Sequence, residues 1–483
     1  MARSGALRGL VWSFFERLGQ QGAQFLVSIV LARLLLPAEF GLIAMLWLFI
    51  SLGQGLLDAG YSAALIRKLD ADRLDESSVF YLNIALGLLS AGLLSLSAGW
   101  IAGFYRAPVL VSVTCWMSLN LVINAFGVVQ TAVLTKNLDF KSQMKAGVTA
   151  TLISGSLAIA LAYRGFGVYS LVVQALALNF IRTVLLWAFS AWRPRLAFSA
   201  ASLRGMFGFS SNMLAFSLIN TVFYNMHIVV IGRLFSAADL GYYSRAQTIQ
   251  QVPVQNILSN TITRVIYPIF STMQEDLERL KKSLGQALTA TALVNFPLMA
   301  GTAAIAGRMI DVLLTAKWAP AAPYLQLLCA VGALYPLQQI NLNALQAQGR
   351  SGLYLKIESI SKTLALIAIV ITYRWGITAM IYGQIAVAGF AYYLSCSYSG
   401  KLLRYPFLEQ MRDLAPSLFI SLAMGGVVYL AGRIPIAHQA LLLLLQVISG
   451  MAFYGLLCYI FKLPAYEAIV QTIKPKLTSY FSL

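Results

Sequence analysis

The chain has few charged residues and very few histidines. Of its 483 residues only 11% are charged, and it contains two histidines and four cysteines. A soluble protein carries roughly 25% charged residues, whereas 59% of this chain is hydrophobic and its mean hydropathy is +0.75. This composition excludes an ordinary soluble protein and predicts a multi-pass membrane protein.

The chain also lacks the motifs of common catalytic sites. It has no Gly-x-x-x-x-Gly-Lys-Ser/Thr loop for ATP phosphates, no His-Glu-x-x-His zinc motif and no Gly-x-Ser-x-Gly nucleophile elbow. The cysteines lie in apolar segments without paired spacing, so we expect neither a disulfide nor a metal site. The sequence therefore predicts a protein that is not an enzyme and has no cofactor. If an ion gradient drives its function, the candidate coupling ion is H⁺ or Na⁺.

Fourteen apolar segments are long enough to cross a bilayer, which requires about 20 residues of helix. They lie near residues 11–35, 41–64, 78–102, 109–134, 144–163, 168–192, 208–232, 243–270, 284–308, 321–346, 355–375, 375–399, 412–432 and 437–461. The connections between them are short. Any function must therefore reside within an all-α bundle of membrane helices.

The net charge of +18 is distributed unevenly among the connections. With the N-terminus inside, 22 of the 35 Lys and Arg residues lie on the cytoplasmic side, eight lie outside and five lie within spans. Cytoplasmic connections of membrane proteins carry such an excess of basic residues. We therefore expect both termini in the cytoplasm. We interpret the basic excess as a signal that sets the orientation of the protein in the membrane and as a source of attraction to anionic lipids, not as a sign of nucleic-acid binding.

One sequence pattern occurs twice, 200 residues apart. The segment Ala32–Gly41 (ARLLLPAEFG) returns as Gly232–Gly241 (GRLFSAADLG), and each copy follows an apolar span. Six spans separate the copies, so both face the same side of the membrane, as in parallel-repeat transporters. The sequence predicts a six-helix lobe at residues 1–200, a second at 201–400, and two further helices with a cytoplasmic tail at 401–483.

Several basic residues lie inside the predicted spans. A charge in hydrocarbon is costly, so such residues face an aqueous cavity or one another. A helix rises 1.5 Å per residue, so the position of a residue within its span gives its depth in the membrane. Four of the basic residues, two from each half of the chain, lie near the cytoplasmic end of their spans or deeper. Guanidinium groups bind phosphate oxygens in a bidentate manner, so a ring of these cations would suit a diphosphate. The four residues are Arg17, Arg182, Arg264 and Lys362. The alternative is that they extend to the lipid headgroups as anchors.

Three acidic residues accompany these cations within the spans. Glu16 and Asp58 lie at a similar depth to Arg17, where they either neutralise it or carry a coupling proton or sodium ion. Glu358 lies four residues before Lys362, so an ion pair on one helix face is the simplest interpretation there.

Amide side chains are concentrated in the eighth and tenth spans. Polar residues at this density line a water-filled path or hydrogen-bond between helices, and Pro253 predicts a bend in the eighth span. Amides that face a cavity would suit sugar hydroxyls. The candidate residues are Gln250, Gln251, Asn256, Asn260, Gln339 and Asn343.

Several segments together resemble a known family. In order along the chain they are Leu31–Gly41, Phe296–Ala300, Lys317–Pro320, Gly349–Ser351 and Leu355–Lys362. Over nearly its whole length the chain resembles Wzx-type lipopolysaccharide and exopolysaccharide flippases, of the WzxC-like colanic acid exporter group. These belong to the polysaccharide transporter branch of the multidrug/oligosaccharidyl-lipid/polysaccharide superfamily.

The resemblance implies two six-helix lobes around a central cavity, with helices 13 and 14 added. It implies a monomeric flippase of the bacterial inner membrane that moves undecaprenyl-diphosphate-linked oligosaccharide from the inner to the outer leaflet by alternating access. Polysaccharide polymerase and export machinery are then the expected partners. In the related lipid II flippases, arginines on the N-terminal lobe and the eighth helix bind the diphosphate, and Arg17 and Arg264 lie on the corresponding helices here.

Two other functions remain open from the residues. A cation-coupled drug antiporter of the same superfamily should have an acid-lined cavity, whereas basic residues predominate within these spans. A membrane polysaccharide polymerase or acyltransferase should carry a long outer loop with catalytic residues, and the predicted connections are short.

Overall fold

The apolar segments form helices, as a bilayer requires of chains that must satisfy their own backbone hydrogen bonds. The structure is a computed structural model, and it describes residues 19–58, 60–68, 72–252, 260–435, 438–463 and 466–467. Among these residues the regular elements are all helical. The chain divides into two compact units, residues 1–244 and 245–483.

The first unit contains ten helices within its described residues and the start of an eleventh. They are α1 (19–34), α2 (Pro37–Asp58), α3 (Tyr61–Arg67), α4 (Arg73–Leu96), α5 (Ala98–Tyr105), α6 (Leu110–Ala125), α7 (Val128–Lys136), α8 (Phe140–Tyr163), α9 (Val168–Phe189), α10 (Ala200–Leu234) and the beginning of α11 (Ala237–Gln251).

Short polar residues fix where several of these helices begin. The Asp72 carboxylate accepts a hydrogen bond from the Asp75 backbone N–H (2.7 Å), and the Asp75 carboxylate accepts one from the Asp72 N–H (3.3 Å). This reciprocal arrangement satisfies two N–H groups that a helix start leaves unpaired. Gly60, with φ of 74°, separates α2 from α3 within one predicted span.

The second unit contains seven further α-helices in its described part. They are α12 (Asn260–Ser271), α13 (Leu277–Leu314), α14 (Ala321–Ala347), α15 (Ser351–Thr372), α16 (Ile377–Leu403), α17 (Phe407–Ala431) and α18 (Gln439–Ile460). Helix α13 packs against both α14 and α17, and α16 packs against α14 and α15.

Two prolines inside these helices leave carbonyl groups that other helices satisfy. Proline has no N–H, so it frees the carbonyl four residues earlier. Pro336 frees the Gly332 carbonyl, which accepts a hydrogen bond from Asn295 Nδ2 (3.1 Å). Pro297 frees the Leu293 carbonyl, which accepts one from the Tyr454 hydroxyl (2.8 Å). These bonds join α13 to α14 and to α18.

A single arginine joins α13 to the α17–α18 pair. The Arg308 guanidinium donates to Gln439 Oε1 (3.1 Å), to Gln446 Oε1 (2.5 Å) and to the Gly432 carbonyl (2.7 Å). Gln446 in turn donates to the Val428 carbonyl (2.7 Å). Each of the three guanidinium nitrogens therefore donates one hydrogen bond, so three of the five N–H groups of this cation are used within the protein.

Ten helical segments of the described residues are long and apolar enough to cross a membrane. They are Pro37–Asp58, Arg73–Leu96, Leu110–Lys136, Phe140–Tyr163, Val168–Phe189, Met213–Leu234, Leu277–Leu314, Ile377–Leu403, Phe407–Ala431 and Gln439–Ile460. The chain is therefore a multi-pass helical membrane protein. The count of fourteen spans stays a prediction: the first and eighth extend outside the described residues, and α14 and α15 carry more polar or charged side chains. The lobe boundaries at residues 200 and 400 also stay predictions.

Candidate functional site

Both copies of the repeated motif form the same kind of helix start. Glu39 Oε2 accepts a hydrogen bond from the Leu36 backbone N–H (2.7 Å) at the start of α2. Asp239 Oδ2 accepts from the Ser236 N–H (3.2 Å) and the Ser236 hydroxyl (2.6 Å) at the start of α11. In each case an acidic residue in the first turn compensates the positive end of the helix dipole. The two copies are thus similar in local structure as well as in sequence.

The glycines that end the two motif copies bring their helices into backbone contact. A Cβ atom on Gly41 would collide with the Ala237 carbonyl, and one on Gly241 would collide with the Pro37 carbonyl. Only glycine permits such an approach. We call this crossing of Pro37–Gly41 with Ala237–Gly241 the motif contact.

Large side chains close the space around the motif contact. Leu240 and Tyr243 are fully buried, and Met45 is 2% exposed. A Cβ atom on Gly232 would lie 3.1 Å from Leu240 and 3.2 Å from Met45. The first unit is therefore tightly packed where α2, α10 and α11 meet.

An arginine beside the second motif copy anchors the end of α10. Arg233 Nη1 donates to the Phe104 carbonyl (2.5 Å), and the guanidinium carbon lies 5.2 Å from the centroid of the Phe104 ring. This residue follows Gly232 directly, so the packing around the motif contact extends to α5.

The structure describes two of the four predicted diphosphate-binding side chains. Arg182 lies half-buried on α9, and Lys362 lies half-buried on α15. Arg264 lies on α12, where only its backbone is described, and Arg17 lies outside the described residues. The convergence of the four cations on one cavity therefore stays a prediction.

The acidic candidates differ in their surroundings. Glu358 Oε2 lies 3.6 Å from Lys362 Nζ, so the expected ion pair on α15 is confirmed. Asp58 is exposed at the last residue of α2, and Glu16 lies outside the described residues. A role for any of them in ion coupling stays a prediction.

The predicted sugar-binding amides are buried to different degrees. Gln250 is 6% exposed and its side chain lies against Gly332 of α14. Asn343 is 5% exposed, and its Nδ2 has no hydrogen-bond partner among the described residues. The other candidates are the half-buried Gln251 and Gln339, Asn260 at the start of α12, and Asn256 outside the described residues.

One polar network in the second unit was not foreseen from the sequence. The Ser399 hydroxyl donates to Asn341 Oδ1 (2.6 Å), and Asn341 Nδ2 donates to Gln410 Oε1 (3.3 Å). All three residues are fully buried. The network therefore links α14, α16 and α17 inside the core, although Asn341 belongs to the same amide-rich segment as the cavity candidates. An amide pattern along one helix does not distinguish cavity-facing from core-facing positions.

Comparison with known proteins identifies the family. The family model described as "Polysaccharide biosynthesis protein" matches residues 30–323, which include both motif copies. The chain belongs to this polysaccharide biosynthesis protein family. The match confirms the resemblance drawn from the sequence.

Two relatives in this family illustrate the similarity. The succinoglycan biosynthesis transport protein ExoT of Rhizobium meliloti is 30% identical over 330 residues, covering 68% of this chain and 67% of ExoT. The lipopolysaccharide biosynthesis protein WzxC of Escherichia coli is 27% identical over 379 residues, covering 76% of this chain and 75% of WzxC.

A solved structure shares the fold of this family member. The lipid II flippase MurJ, in an inward closed conformation, matches with a TM-score of 0.73 and 14% sequence identity, covering 96% of this chain and all of that chain. The fold is therefore that of MurJ over almost the whole sequence, which confirms an all-α integral membrane protein.

Proposed function

We propose that the protein is a flippase that moves lipid-linked oligosaccharide repeat units from the inner to the outer leaflet of the bacterial inner membrane. One observation carries the proposal: a member of a polysaccharide biosynthesis family has the fold of a protein named as a lipid II flippase over 96% of its length. The name of ExoT, which is a transport protein of succinoglycan biosynthesis, supports the same function.

The proposed substrate is an undecaprenyl-diphosphate-linked oligosaccharide. Its diphosphate requires positive charge in a partly dehydrated site, and Arg17, Arg182, Arg264 and Lys362 would supply it. The sugar hydroxyls would hydrogen-bond to the amide candidates, of which Asn343 is buried with an amide nitrogen available. Both termini would lie in the cytoplasm, and a polysaccharide polymerase or export complex would receive the product.

The proposed mechanism is alternating access, with the motif contact closing one end of the path. The contact joins backbone to backbone through Gly41 and Gly241, with no side chain of either residue between the helices. Separating two such surfaces breaks dispersion contacts but no ion pair across the glycines. Rigid-body movement of α2 relative to α11 would then open this end. Glu16, Asp58 and Glu358 are the candidates for coupling that movement to H⁺ or Na⁺.

Complementation tests the proposed function. A strain without the gene should fail to export its polysaccharide and should accumulate lipid-linked repeat units, and the wild-type gene should restore export. Membrane abundance of the protein is measured in parallel. Normal export by the deletion strain, with no other flippase gene present, would contradict the proposal.

A further inference from the structure

A pocket of about 460 Å³ lies at one end of the first unit. It is built by the start of α4, the end of α7, the residue that caps α8 and the segment that follows α9. The side chains used below are Arg73, Glu76, Lys136, Asp139, Phe189 and Trp192. A water molecule occupies roughly 30 Å³ of liquid volume, so the pocket is large enough for an organic group.

The charged side chains of the pocket are balanced in sign. Arg73 and Lys136 supply two positive charges, and Glu76 and Asp139 supply two negative charges. The Glu76 carboxylate interacts with the charges of both Lys136 and Arg73. A simple anion or a simple cation would face one repelling pair, whereas a ligand with both charges can match both pairs.

Both cations retain hydrogen-bonding capacity for a ligand. Lys136 Nζ donates to the Lys68 carbonyl (3.1 Å), which uses one of its three protons. Arg73 is exposed, and its guanidinium makes no hydrogen bond within the described part of the chain. The Asp139 carboxylate accepts from the Ser142 N–H (3.1 Å) and hydroxyl (2.7 Å), and its oxygens can accept further bonds.

The position of the pocket places it at the level of lipid headgroups. It lies at the ends of three helices that are long and apolar enough to span the membrane, α4, α8 and α9. Phe189, the last residue of α9, is 41% exposed and supplies an apolar surface beside the charges. A phospholipid presents the same succession of charged headgroup and apolar chain.

We infer that this pocket binds the headgroup of phosphatidylethanolamine. The phosphate would accept hydrogen bonds from Arg73 and Lys136, and the ammonium group would donate to Glu76 and Asp139. The glycerol backbone would lie against Phe189. Phosphatidylcholine offers the same phosphate, but its quaternary ammonium has no N–H to donate. Phosphatidylglycerol has no positive charge for the two carboxylates.

Lipid binding to the purified full-length protein tests this inference. The delipidated protein is titrated with dioleoyl phosphatidylethanolamine, phosphatidylcholine or phosphatidylglycerol, and bound lipid is measured by native mass spectrometry. One ionic hydrogen bond corresponds to about tenfold in binding. We expect phosphatidylethanolamine to bind about tenfold more tightly than the other two lipids.

Two variants of the protein distinguish recognition of the phosphate from recognition of the ammonium group. Arg73→Gln should weaken phosphatidylethanolamine and phosphatidylcholine alike, because both present the phosphate. Glu76→Gln should weaken phosphatidylethanolamine more than phosphatidylcholine, because both headgroups lose a charge attraction but only the ammonium of phosphatidylethanolamine also loses a hydrogen bond. Arg195→Gln is the matched control: it removes an exposed cation at the same end of the unit, outside the pocket lining. Thermal unfolding shows that each variant is folded.

Several results would overturn the inference. Equal binding of phosphatidylethanolamine and phosphatidylcholine would exclude hydrogen bonding to the ammonium N–H groups, and preference for phosphatidylglycerol would indicate an anion site. Free phosphoethanolamine that competes as strongly as the lipid would indicate a soluble ligand. An Arg73→Gln protein that binds like the Arg195→Gln control would exclude this pocket as the binding site.

Discussion

Gly41 and Gly241 lie 200 residues apart in the sequence, and each faces the backbone of the helix on which the other lies. A methyl group on either one would enter the carbonyl of Ala237 or Pro37. The repeated motif is therefore a pair of complementary surfaces. In a flippase that opens alternately to each side of the membrane, the two glycines allow α2 and α11 to pack closely when the motif contact is closed. They carry no side chain that would hold the helices together when the contact opens.

Replacing these glycines should shift the protein away from the state in which the motif contact is closed. Overpacking costs about 1–3 kcal/mol, so Gly41→Ala or Gly241→Ala should raise the population of the separated state about tenfold. The measurement is the rate at which a membrane-impermeant thiol reagent labels Met45→Cys, a position that is 2% exposed here.

A glycine outside the motif contact provides the control. Gly103 has no heavy atom within 4 Å of a Cβ position, so Gly103→Ala should leave the labelling rate unchanged. Equal labelling rates in Gly41→Ala, Gly241→Ala and Gly103→Ala proteins would show that the contact does not set the conformational equilibrium.

The Tyr454 hydroxyl should stabilise the protein because Pro297 frees the Leu293 carbonyl as its acceptor. Removing the hydroxyl in Tyr454→Phe should cost about 1 kcal/mol, within the range of hydrogen bonds between membrane helices. Restoring the backbone N–H with Pro297→Ala should make the same substitution nearly neutral. Unfolding of the single and double variants gives the coupling energy.

An exposed tyrosine serves as the reference for this cycle. Tyr459 lies on the same helix and is 70% exposed, so Tyr459→Phe should change stability by less than about 0.5 kcal/mol. An identical cost of Tyr454→Phe with and without Pro297 would refute the assigned role of the hydroxyl.

Arg308 should be important for joining α13 to α17 and α18. Its removal in Arg308→Ala leaves the Gln446 and Gly432 acceptors without their charged donor, and a hydrogen bond to a charged group contributes about 1.5–3 kcal/mol. We expect a loss of at least that size in the free energy of unfolding. Arg433→Ala, which removes an exposed arginine nearby, should cost under about 0.5 kcal/mol; equal effects would refute the assignment.

The positive charge of Arg17 and Arg264 should be essential for transport. Arg17→Ala or Arg264→Ala should lower substrate binding about ten- to a hundredfold and abolish polysaccharide export. Lysine at either position should restore part of the export, because it keeps the charge but loses bidentate geometry. Normal export by both alanine variants at normal membrane abundance would identify these arginines as lipid anchors.

The sequence predicted the helical class and most helix positions because hydropathy directly reflects the bilayer. It did not predict helix length beyond the apolar stretch. Helix α13 begins at Leu277, after Asp276 accepts a hydrogen bond from the Arg279 N–H (3.0 Å), whereas the apolar span was placed at 284–308. A polar cap lets the helix begin among polar residues, which a search for apolar segments does not include.

Contacts between distant segments were largely beyond sequence reasoning. The repeat of Gly41 at Gly241 indicated duplication, but not that the two glycines meet. Asn341 and Asn343 lie two residues apart in one amide-rich span; Asn341 is bonded within the core, and the Asn343 amide nitrogen has no partner in the described region. Which side of a helix meets a neighbour depends on packing, which a single sequence does not specify.

The most direct test of the flippase function is the sidedness of lipid-linked repeat units in cells. Spheroplasts of the deletion strain and of the complemented strain, both lacking the polymerase that consumes these units, are treated with a membrane-impermeant reagent that oxidises sugars. If the protein is the flippase, the units in the complemented strain should be oxidised and those in the deletion strain should be protected until the membrane is permeabilised. Equal oxidation of the units in both strains would contradict the proposed function.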